Sequence, residues 1–349
     1  HIPGRVCINK RNVYREGIGY DEFIAPPGEY EKLAVPFEQR PEPKISWVSK
    51  YGSITFNSEG VDFPDGGVNE KGLAVFEMSL GSTRNRYDEK NPSVFMVLWI
   101  QYVLDNFTTI DEVIESTYRI NLQGWSWHYF VSDARGDCAV IEFLGGEVVV
   151  HRGEGLPYPV LCNSRYSREL ERLEGYSGIK AWTADLLRKT PRFVKAARLL
   201  DRFDASAGPD AGDYARKILE EIAIKRWNKW SILVDVTNMT VYFHTDGNRR
   251  LRYFSLSGFD LDRKPAEILD IHGDGSGDVT GRFEDYTRER NLELTRERAR
   301  LLFADRFRGF IDNGVTAEVY SERFAGYSER IRARDIRRTG IQDDPEKKE

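Results

Sequence analysis

The sequence predicts an α+β fold in which helices pack on the outside of sheets. Two blocks of alternating, β-branched and aromatic residues, over 127–150 and 230–256, are typical of strands joined by tight turns. The turns begin at Asp133, Thr237 and Asp246. Segments with apolar residues at helical spacing lie between and after these blocks. Such an order of elements favours helical layers packed against sheets.

The N-terminal part of the chain predicts a loop followed by a hairpin. Residues 15–46 favour a loop because they contain five prolines, two of them in Pro26-Pro27-Gly28. Trp47 to Val75 then predicts a strand, a polar turn and a second strand. The turn residues, including Asn69, tolerate positive φ angles.

Four helices are predicted in the middle of the chain. A largely apolar helix is predicted over 93–107, with Ser93 as its cap. Asp111 is expected to cap a second helix. Apolar residues at helical spacing predict two further helices, over 180–203 and 212–225.

The chain changes in composition after about residue 285, where Arg and Glu become frequent. We therefore expect one domain over 1–285 and a charged, helical C-terminal extension over 286–349. A second, more polar helix is predicted over 316–337. The last residues, 342–349, have the composition of a disordered tail.

Composition excludes several classes of function. The chain has 349 residues, of which 40% are hydrophobic, and this is enough for a sizeable core. A net charge of −5 gives no indication of a nucleic-acid partner. No apolar run is long enough for membrane insertion. Three cysteines, an odd number, argue against a disulfide framework.

Six segments resemble, in order, the choloylglycine hydrolase and penicillin V acylase family of N-terminal-nucleophile amidases. The segments are WVSKYGSI with GVNEKGLAV, LWIQYVLDNFTTIDEVIE, WHYFVSDARGDCAVIEF, VLCNSRY, PRFVKAARLL and WSILVDVTNMTVYFHTDGNRRLRYFSL. Together they run from about residue 47 to residue 256. The resemblance implies a four-layer αββα sandwich of two antiparallel sheets.

The resemblance also implies a mechanism and a set of site residues. A thiol attacks the amide carbonyl with its own α-amine as base, and polar donors stabilise the oxyanion. Asn69 and Asn163 resemble the two asparagines of the oxyanion site. Arg192 resembles the arginine that orients the nucleophile, with Arg226 as a second candidate. We expect both asparagines to face one cleft with Arg192 at its wall, although each could be a turn residue instead.

The start of the chain matches the family less well. GRVCI, over 4–8, places Arg5 at the family's motif arginine but lacks the aspartate that follows it. An alignment through Arg11 lacks that aspartate too. Three interpretations stay open: the nucleophile and first strand lie upstream of His1, Cys7 is a nucleophile freed by cleavage, or the protein has no nucleophile. We expect the chain that begins at His1 to hydrolyse acyl amides poorly or not at all.

The other reactive side chains are interpreted as structural. Cys138 and Cys162 fall in apolar strand patterns and are expected to be buried and inert. His128 is expected to be a hydrogen-bonded core histidine. The five histidines show no metal-ligand spacing, and the sequence from Asp274 to Asp278 lacks the spacing of a calcium loop.

We therefore expect a hydrolase of linear acyl amides that requires no cofactor or metal. A conjugated bile salt, penicillin V and an N-acyl homoserine lactone are the candidate substrates. The alternative is an inactive relative that binds an acylated small molecule. A homo-oligomer is not excluded, and the compartment, cytoplasmic, periplasmic or secreted, stays open.

Overall fold

The computed structural model describes residues 2–19, 45–178, 183, 185, 189–206, 210–224, 228–304 and 316–339. Most of the predicted loop over 15–46 lies outside these residues, as do the second arginine candidate, Arg226, and the tail over 342–349.

Seventeen strands lie within the described residues. They are β1 (Arg5–Asn9), β2 (Tyr14–Glu16), β3 (Ser46–Val48), β4 (Ser53–Asn57), β5 (Gly66–Asn69), β6 (Ala74–Ser79), β7 (Ser93–Phe95), β8 (Asn121–Gln123), β9 (Trp127–Ser132), β10 (Cys138–Leu144), β11 (Glu147–Arg152), β12 (Trp230–Asp235), β13 (Thr240–Thr245), β14 (Arg252–Ser255), β15 (Glu267–Asp270), β16 (Gly277–Asp278) and β17 (Glu284–Asp285).

Seven α-helices are present in the same part of the chain. They are α1 (Met96–Asn106), α2 (Ile110–Arg119), α3 (Tyr166–Glu174), α4 (Arg192–Asp201), α5 (Ala211–Ile222), α6 (Arg288–Leu302) and α7 (Ala317–Thr339).

Two stacked sheets form the centre of the molecule. The larger has nine strands in the order β11-β10-β9-β6-β5-β4-β1-β15-β17, all antiparallel. The smaller has the order β12-β13-β14-β16, with only β16 parallel to its neighbour. A buried core that includes Val6, Val68, Phe243 and Phe254 lies between them.

Helices pack on both faces of the large sheet and against the small sheet. A second core, containing Trp99 of α1 with Phe324 and Tyr327 of α7, lies against the other face of the large sheet. Tyr166 of α3 and Phe193 of α4 pack in a third cluster over β10, and α5 contacts β12. The predicted αββα sandwich is confirmed.

Side chains on β1 alternate between the two faces of the large sheet, as in any strand. Val6 and Ile8 point into the core between the sheets. Arg5, Cys7 and Asn9 therefore point toward the layer of α1, α6 and α7. This alternation decides which of the predicted site residues can meet.

Three local predictions were wrong. Tyr14–Glu16 forms a strand paired with β3 where the sequence predicted a loop. Ser93 lies in β7, and the apolar helix begins only at Met96. The second helix is capped by Thr109 and not by Asp111, because Thr109 and Glu112 form a reciprocal capping box.

Helices α6 and α7 are part of the main core. Phe324 packs on Phe63, with ring centroids 4.6 Å apart. Buried ion pairs tie the two helices to the sheet: Arg298 binds Glu59 at 2.6 Å, and Arg332 binds Asp62 at 3.1 Å. The division of the chain into two parts at residue 285 stays a prediction. The helices α6 and α7, which follow residue 285, pack against the rest of the molecule.

Replacement of Phe324 by alanine should lower the free energy of unfolding by about 3–5 kcal/mol, because it opens a cavity among fully buried rings. Tyr118→Ala is the control, since Tyr118 is 47% exposed and should change stability by less than about 0.5 kcal/mol. Urea unfolding monitored by fluorescence measures both. Equal effects of the two substitutions would contradict the placement of α7 in the core.

Acidic side chains gather under α6 near β6. Burial, with Asp65 and Glu59 adding to it, raises the pKa of Glu77 well above its ordinary value. Burial and the nearby Glu59 also raise the pKa of Asp65 to about 7. Glu77 Oε2 is shielded from solvent and has no hydrogen-bond partner among the described residues. A carboxyl group whose pKa is raised by folding destabilises the folded chain once the pH exceeds its unfolded pKa.

Glu77→Gln should therefore flatten the pH dependence of stability. We expect the Tm of the unmodified protein to fall between about pH 5 and about pH 8 as the buried carboxyl groups lose their protons. The fall should be smaller in Glu77→Gln, which cannot ionise at this position. Glu147→Gln, on the exposed side of β11, should behave like the unmodified protein. Calorimetry across this range tests the prediction, and parallel curves for all three proteins would refute it.

Candidate active site

Asn163 and Arg192 form a contact at the surface of the molecule. Arg192 Nη2 donates to Asn163 Oδ1 at 2.8 Å, and Asn163 Nδ2 donates to the carbonyl oxygen of Ser79 at 3.1 Å. Arg192 is the first residue of α4, with Pro191 before it as predicted. Asn163 lies in a turn before α3. The strand predicted just before it is irregular.

This arrangement can receive an oxygen that gains negative charge. An asparagine amide has two N–H groups, and the bond to Ser79 uses one of them. Asn163 is exposed and Arg192 is half-buried, so a ligand can approach both side chains. An amide N–H beside a guanidinium is a suitable donor set for a tetrahedral oxyanion.

The contact lies at the end of the large sheet where β1 begins. Phe76 of β6 is opposite Gly66, Gly66 is opposite Phe56, and Phe56 is opposite Val6. Because each pairing is antiparallel, the step from Phe76 toward Ser79 corresponds on β1 to a step from Val6 toward the start of the chain. Residues that precede β1 therefore enter the sheet at the Ser79 end.

Asn69 lies elsewhere, and its hydrogen-bonding groups are all used. Its Nδ2 donates to the carbonyl oxygens of Leu104 and Phe107 at 2.9 and 2.8 Å. Its Oδ1 accepts from the backbone N–H groups of Lys71 and Leu73. The side chain is 0% exposed. Asn69 thus joins the turn between β5 and β6 to the end of α1 and has no amide proton left for a substrate.

The shared cleft predicted for the two asparagines is not formed. Asn69 binds the backbone of Leu73, and Asn163 binds the backbone of Ser79. Ser79 is six residues after Leu73, and six residues of a strand span about 20 Å. Val68 faces the core between the sheets, so its neighbour Asn69 faces the helical layer. The two side chains therefore lie at opposite ends of β6 and on opposite faces of the sheet.

Cys7 lies in the middle of β1, paired with Thr55 on one side and Ile268 on the other. Its side chain is 0% exposed and packs with Val61 and Tyr286 on the helical face. Burial, followed by the charge of Asp62, raises the pKa of the Cys7 thiol. A thiol with a raised pKa, on the face opposite Arg192, has the properties of an inert thiol.

Arg5 also points to the helical face. Its guanidinium binds Asp270 at 3.1 Å and lies 3.8 Å from Glu293 of α6. Arg5 as a whole residue is 6% exposed. Arg5 is close to the Ser79 end of the sheet, but the structure does not bring it into contact with Asn163 or Arg192.

The other predicted structural residues agree with the interpretation. Burial raises the pKa of Cys162 to about 11, and burial also raises the pKa of the half-buried Cys138. His128 is buried and bonded through both ring nitrogens. These groups are not poised for nucleophilic attack.

Sequence reasoning missed Ser79 and the residues beneath the Asn163 turn. Ser79 is the last residue of β6. It contributes a backbone carbonyl oxygen, and the sequence does not show that this oxygen binds Asn163. Glu142 is bonded by His128, His151 and Tyr166. In the sequence it is the one charged residue of the apolar run CAVIEFL. A buried acid in such a run was the available signal, because strand carboxylates are rarely buried without partners.

Other kinds of site are not found in the described chain. No group of three His, Cys, Asp or Glu side chains could hold a metal ion there. Among the described helices, none is long and apolar enough to cross a membrane. A solvent-open hollow of about 550 Å³ lies at the far end of β1, beside α7. Its cations pair with carboxylates, as in Lys264 with Asp335.

The sequence comparisons match the middle of the chain. Residues 44–196 match the model of a family described as linear amide C-N hydrolases, choloylglycine hydrolase family. A penicillin V acylase of Pectobacterium atrosepticum is 32% identical over 174 residues, which are 44% of this chain and 46% of that enzyme. The match thus spans about half the length of this curated relative. The family match over 44–196 includes the Asn163 turn and begins after Cys7.

The structural comparisons extend over most of the chain. The penicillin V acylase from Agrobacterium tumefaciens aligns with a TM-score of 0.65 and 21% identity, over 82% of this chain and 90% of that one. A mutant conjugated bile acid hydrolase from Clostridium perfringens aligns with a TM-score of 0.59 and 17% identity, over 79% and 91%. Identities this low establish the shared fold alone. Residues 44–196 thus resemble the choloylglycine hydrolase family of linear amide C-N hydrolases in sequence, and most of the chain shares the fold of these two solved hydrolases.

Proposed function

We propose that the protein hydrolyses linear acyl amides and binds the reacting carbonyl group beside Asn163 and Arg192. The observation that carries the proposal is the 2.8 Å contact between these two side chains. It lies within the segment that matches the amidase family, at the Ser79 end of the large sheet. A developing oxyanion there gains a hydrogen bond from Asn163 and the positive charge of Arg192.

The nucleophile in this proposal is an N-terminal cysteine that reaches the site from before β1. Its thiolate attacks the carbonyl carbon, and a C–S bond forms as the C–N bond breaks. The departing amine takes the proton that the α-amine removed from the thiol. Water then hydrolyses the thioester to release the acid. The register of β1 supports this route, because residues that precede β1 arrive at the Ser79 end.

The named relatives support two substrate classes, a phenoxyacetyl amide such as penicillin V and a conjugated bile acid. An N-acyl homoserine lactone is the third class that we propose. All three are acyl amides with an apolar acyl group, and the described residues favour none of them over the others.

A second candidate function is the binding of an acylated small molecule without turnover. The burial of Cys7 favours it, because the cysteine nearest the start of the described chain cannot attack a ligand at Arg192. The two functions differ in turnover and share a binding site. An assay that measures both separates them.

Replacement of Asn163 by alanine should lower kcat by about 10²–10³, as expected for the loss of one oxyanion donor. The assay is release of the free amine from penicillin V, glycocholate and an acyl homoserine lactone, with a chain extended upstream to an N-terminal cysteine. Asn238→Ala, in an exposed turn of the small sheet, is the matched control and should leave kcat unchanged. Unchanged turnover in Asn163→Ala would place the oxyanion elsewhere.

Replacement of Cys7 by alanine should leave turnover by the extended chain unchanged, because the Cys7 thiol points into the helical layer. Replacement of the N-terminal cysteine by alanine should abolish turnover while binding of the acid product persists. Isothermal titration with phenoxyacetate measures that binding. Loss of turnover in Cys7→Ala, with the fold intact by circular dichroism, would make Cys7 the nucleophile. Binding without turnover in every chain would establish the second function.

A further inference from the structure

The turn that carries Asn163 is held from both sides by two side chains of the large sheet. His128 Nε2 lies 2.7 Å from the carbonyl oxygen of Cys162, the residue just before Asn163. The backbone N–H of Tyr166, which opens α3, donates to Glu142 Oε1 at 3.0 Å. Both side chains are 0% exposed. They reach the turn from β9, which pairs with β6, and from β10, which pairs with β9.

The contacts of His128, together with the lowered pKa of Glu142, indicate a charged pair beneath the turn. His128 Nδ1 lies 3.0 Å from Glu142 Oε1, so both ring nitrogens face oxygen acceptors. Both hydrogen bonds form together with an ionised Glu142 only when the ring carries two protons and is an imidazolium. The negative charge of Glu142 then compensates the buried positive charge of His128.

Further donors hold Glu142 in its ionised form. His151 Nε2 lies 3.1 Å from Glu142 Oε2, and the His151 ring packs on Tyr166 at a centroid distance of 4.8 Å. Burial alone would raise the pKa of Glu142. The hydrogen bonds from His128, His151 and Tyr166 outweigh it and lower that pKa to about 2.

We propose that the His128–Glu142 pair is a positioning device for the active site, which fixes the peptide before Asn163 so that its amide meets Arg192 and the substrate carbonyl. Charge-assisted hydrogen bonds are shorter and stronger than neutral ones, and His128 makes one to the peptide that carries Asn163. The inference rests on the proposed function for its catalytic consequence. Neither residue touches the substrate.

The register of the sheet shows why these two residues suit the task. His128 is directly opposite Met78, the neighbour of Ser79 on β6. The strand that fixes the Ser79 carbonyl therefore also fixes His128, and β10 fixes Glu142. Asn163 is thus placed relative to Ser79 by paired strands, which define a site more accurately than a free loop.

Glu142→Gln tests the proposal because it keeps the size of the side chain and removes its charge. An amide cannot compensate an imidazolium. A neutral His128 can keep both partners only if the new amide nitrogen replaces Oε1, and that nitrogen cannot accept from the N–H of Tyr166, so the turn loses a hydrogen bond. We expect kcat of the extended, N-terminal-cysteine chain to fall about ten- to a hundredfold, with KM changed less than threefold. Glu147→Gln on β11 is the matched control and should change neither constant.

A double-mutant cycle separates positioning from general structural damage. If Glu142 acts through Asn163, Glu142→Gln should cost almost nothing further in kcat when Asn163 is already alanine. A residue with only a structural role would lower kcat by the same factor in both backgrounds. Additive effects would overturn the proposal.

Hydrogen exchange tests the same proposal without turnover. Amides over 160–166 should exchange faster in Glu142→Gln, while those of α5 keep their rates. This measurement still decides the proposal if the unmodified chain hydrolyses nothing, an outcome that would overturn only the proposed function. If Glu142→Gln does not fold, His128→Phe is measured instead, since a phenylalanine ring has no group that could bond either partner. Unchanged exchange over 160–166 in a folded variant would overturn the positioning role.

Discussion

Alternation of side chains along the central strands of the large sheet constrains every residue that could belong to the site. Val6 and Val68 point into the core between the sheets, so Cys7 and Asn69 must point the other way. There Cys7 is buried with Val61 and Tyr286, and Asn69 is buried against the end of α1. Asn163 and Arg192 reach the molecule's surface on the face that Val6 shares. One geometric rule thus divides the predicted site into two sets that cannot meet.

The two faces of the large sheet also differ in how they treat charge. On the helical face, Asp62 lies between Arg15 and Arg332, and these two arginines hold its pKa well below the ordinary value although burial opposes them. Arg15 in turn binds Asp105 at 3.0 Å. Such closed pairs contribute more to a single arrangement of α7 than to net stability, since each buried ion also costs desolvation. On the other face, the Asn163 amide and the Arg192 guanidinium retain contact with solvent.

The sequence was sufficient for the architecture because the architecture follows from periodicity. The alternation in 127–150 and 230–256 predicted strands that the structure contains, and Arg192 opens its helix directly after Pro191 as expected. Helix and strand ends were less predictable. Thr109 competes with Asp111 for the start of α2, and the capping box with Glu112 decides in favour of Thr109. Competition of this kind depends on a few hydrogen bonds that no periodic pattern reports.

The site was harder to predict than the fold, because identical residue types serve as turn formers and as donors. Asn69 and Asn163 both follow apolar segments and both occupy turns. What separates them is the number of hydrogen-bond partners nearby. Four backbone groups surround the Asn69 amide because α1 ends against it, whereas one carbonyl and one guanidinium reach Asn163. That difference arises from the docking of distant segments, and a local motif such as NEKGL carries no record of it. An asparagine is available to a substrate only where the fold leaves one of its N–H groups without an internal acceptor, and the end of β6 at Ser79 is such a place.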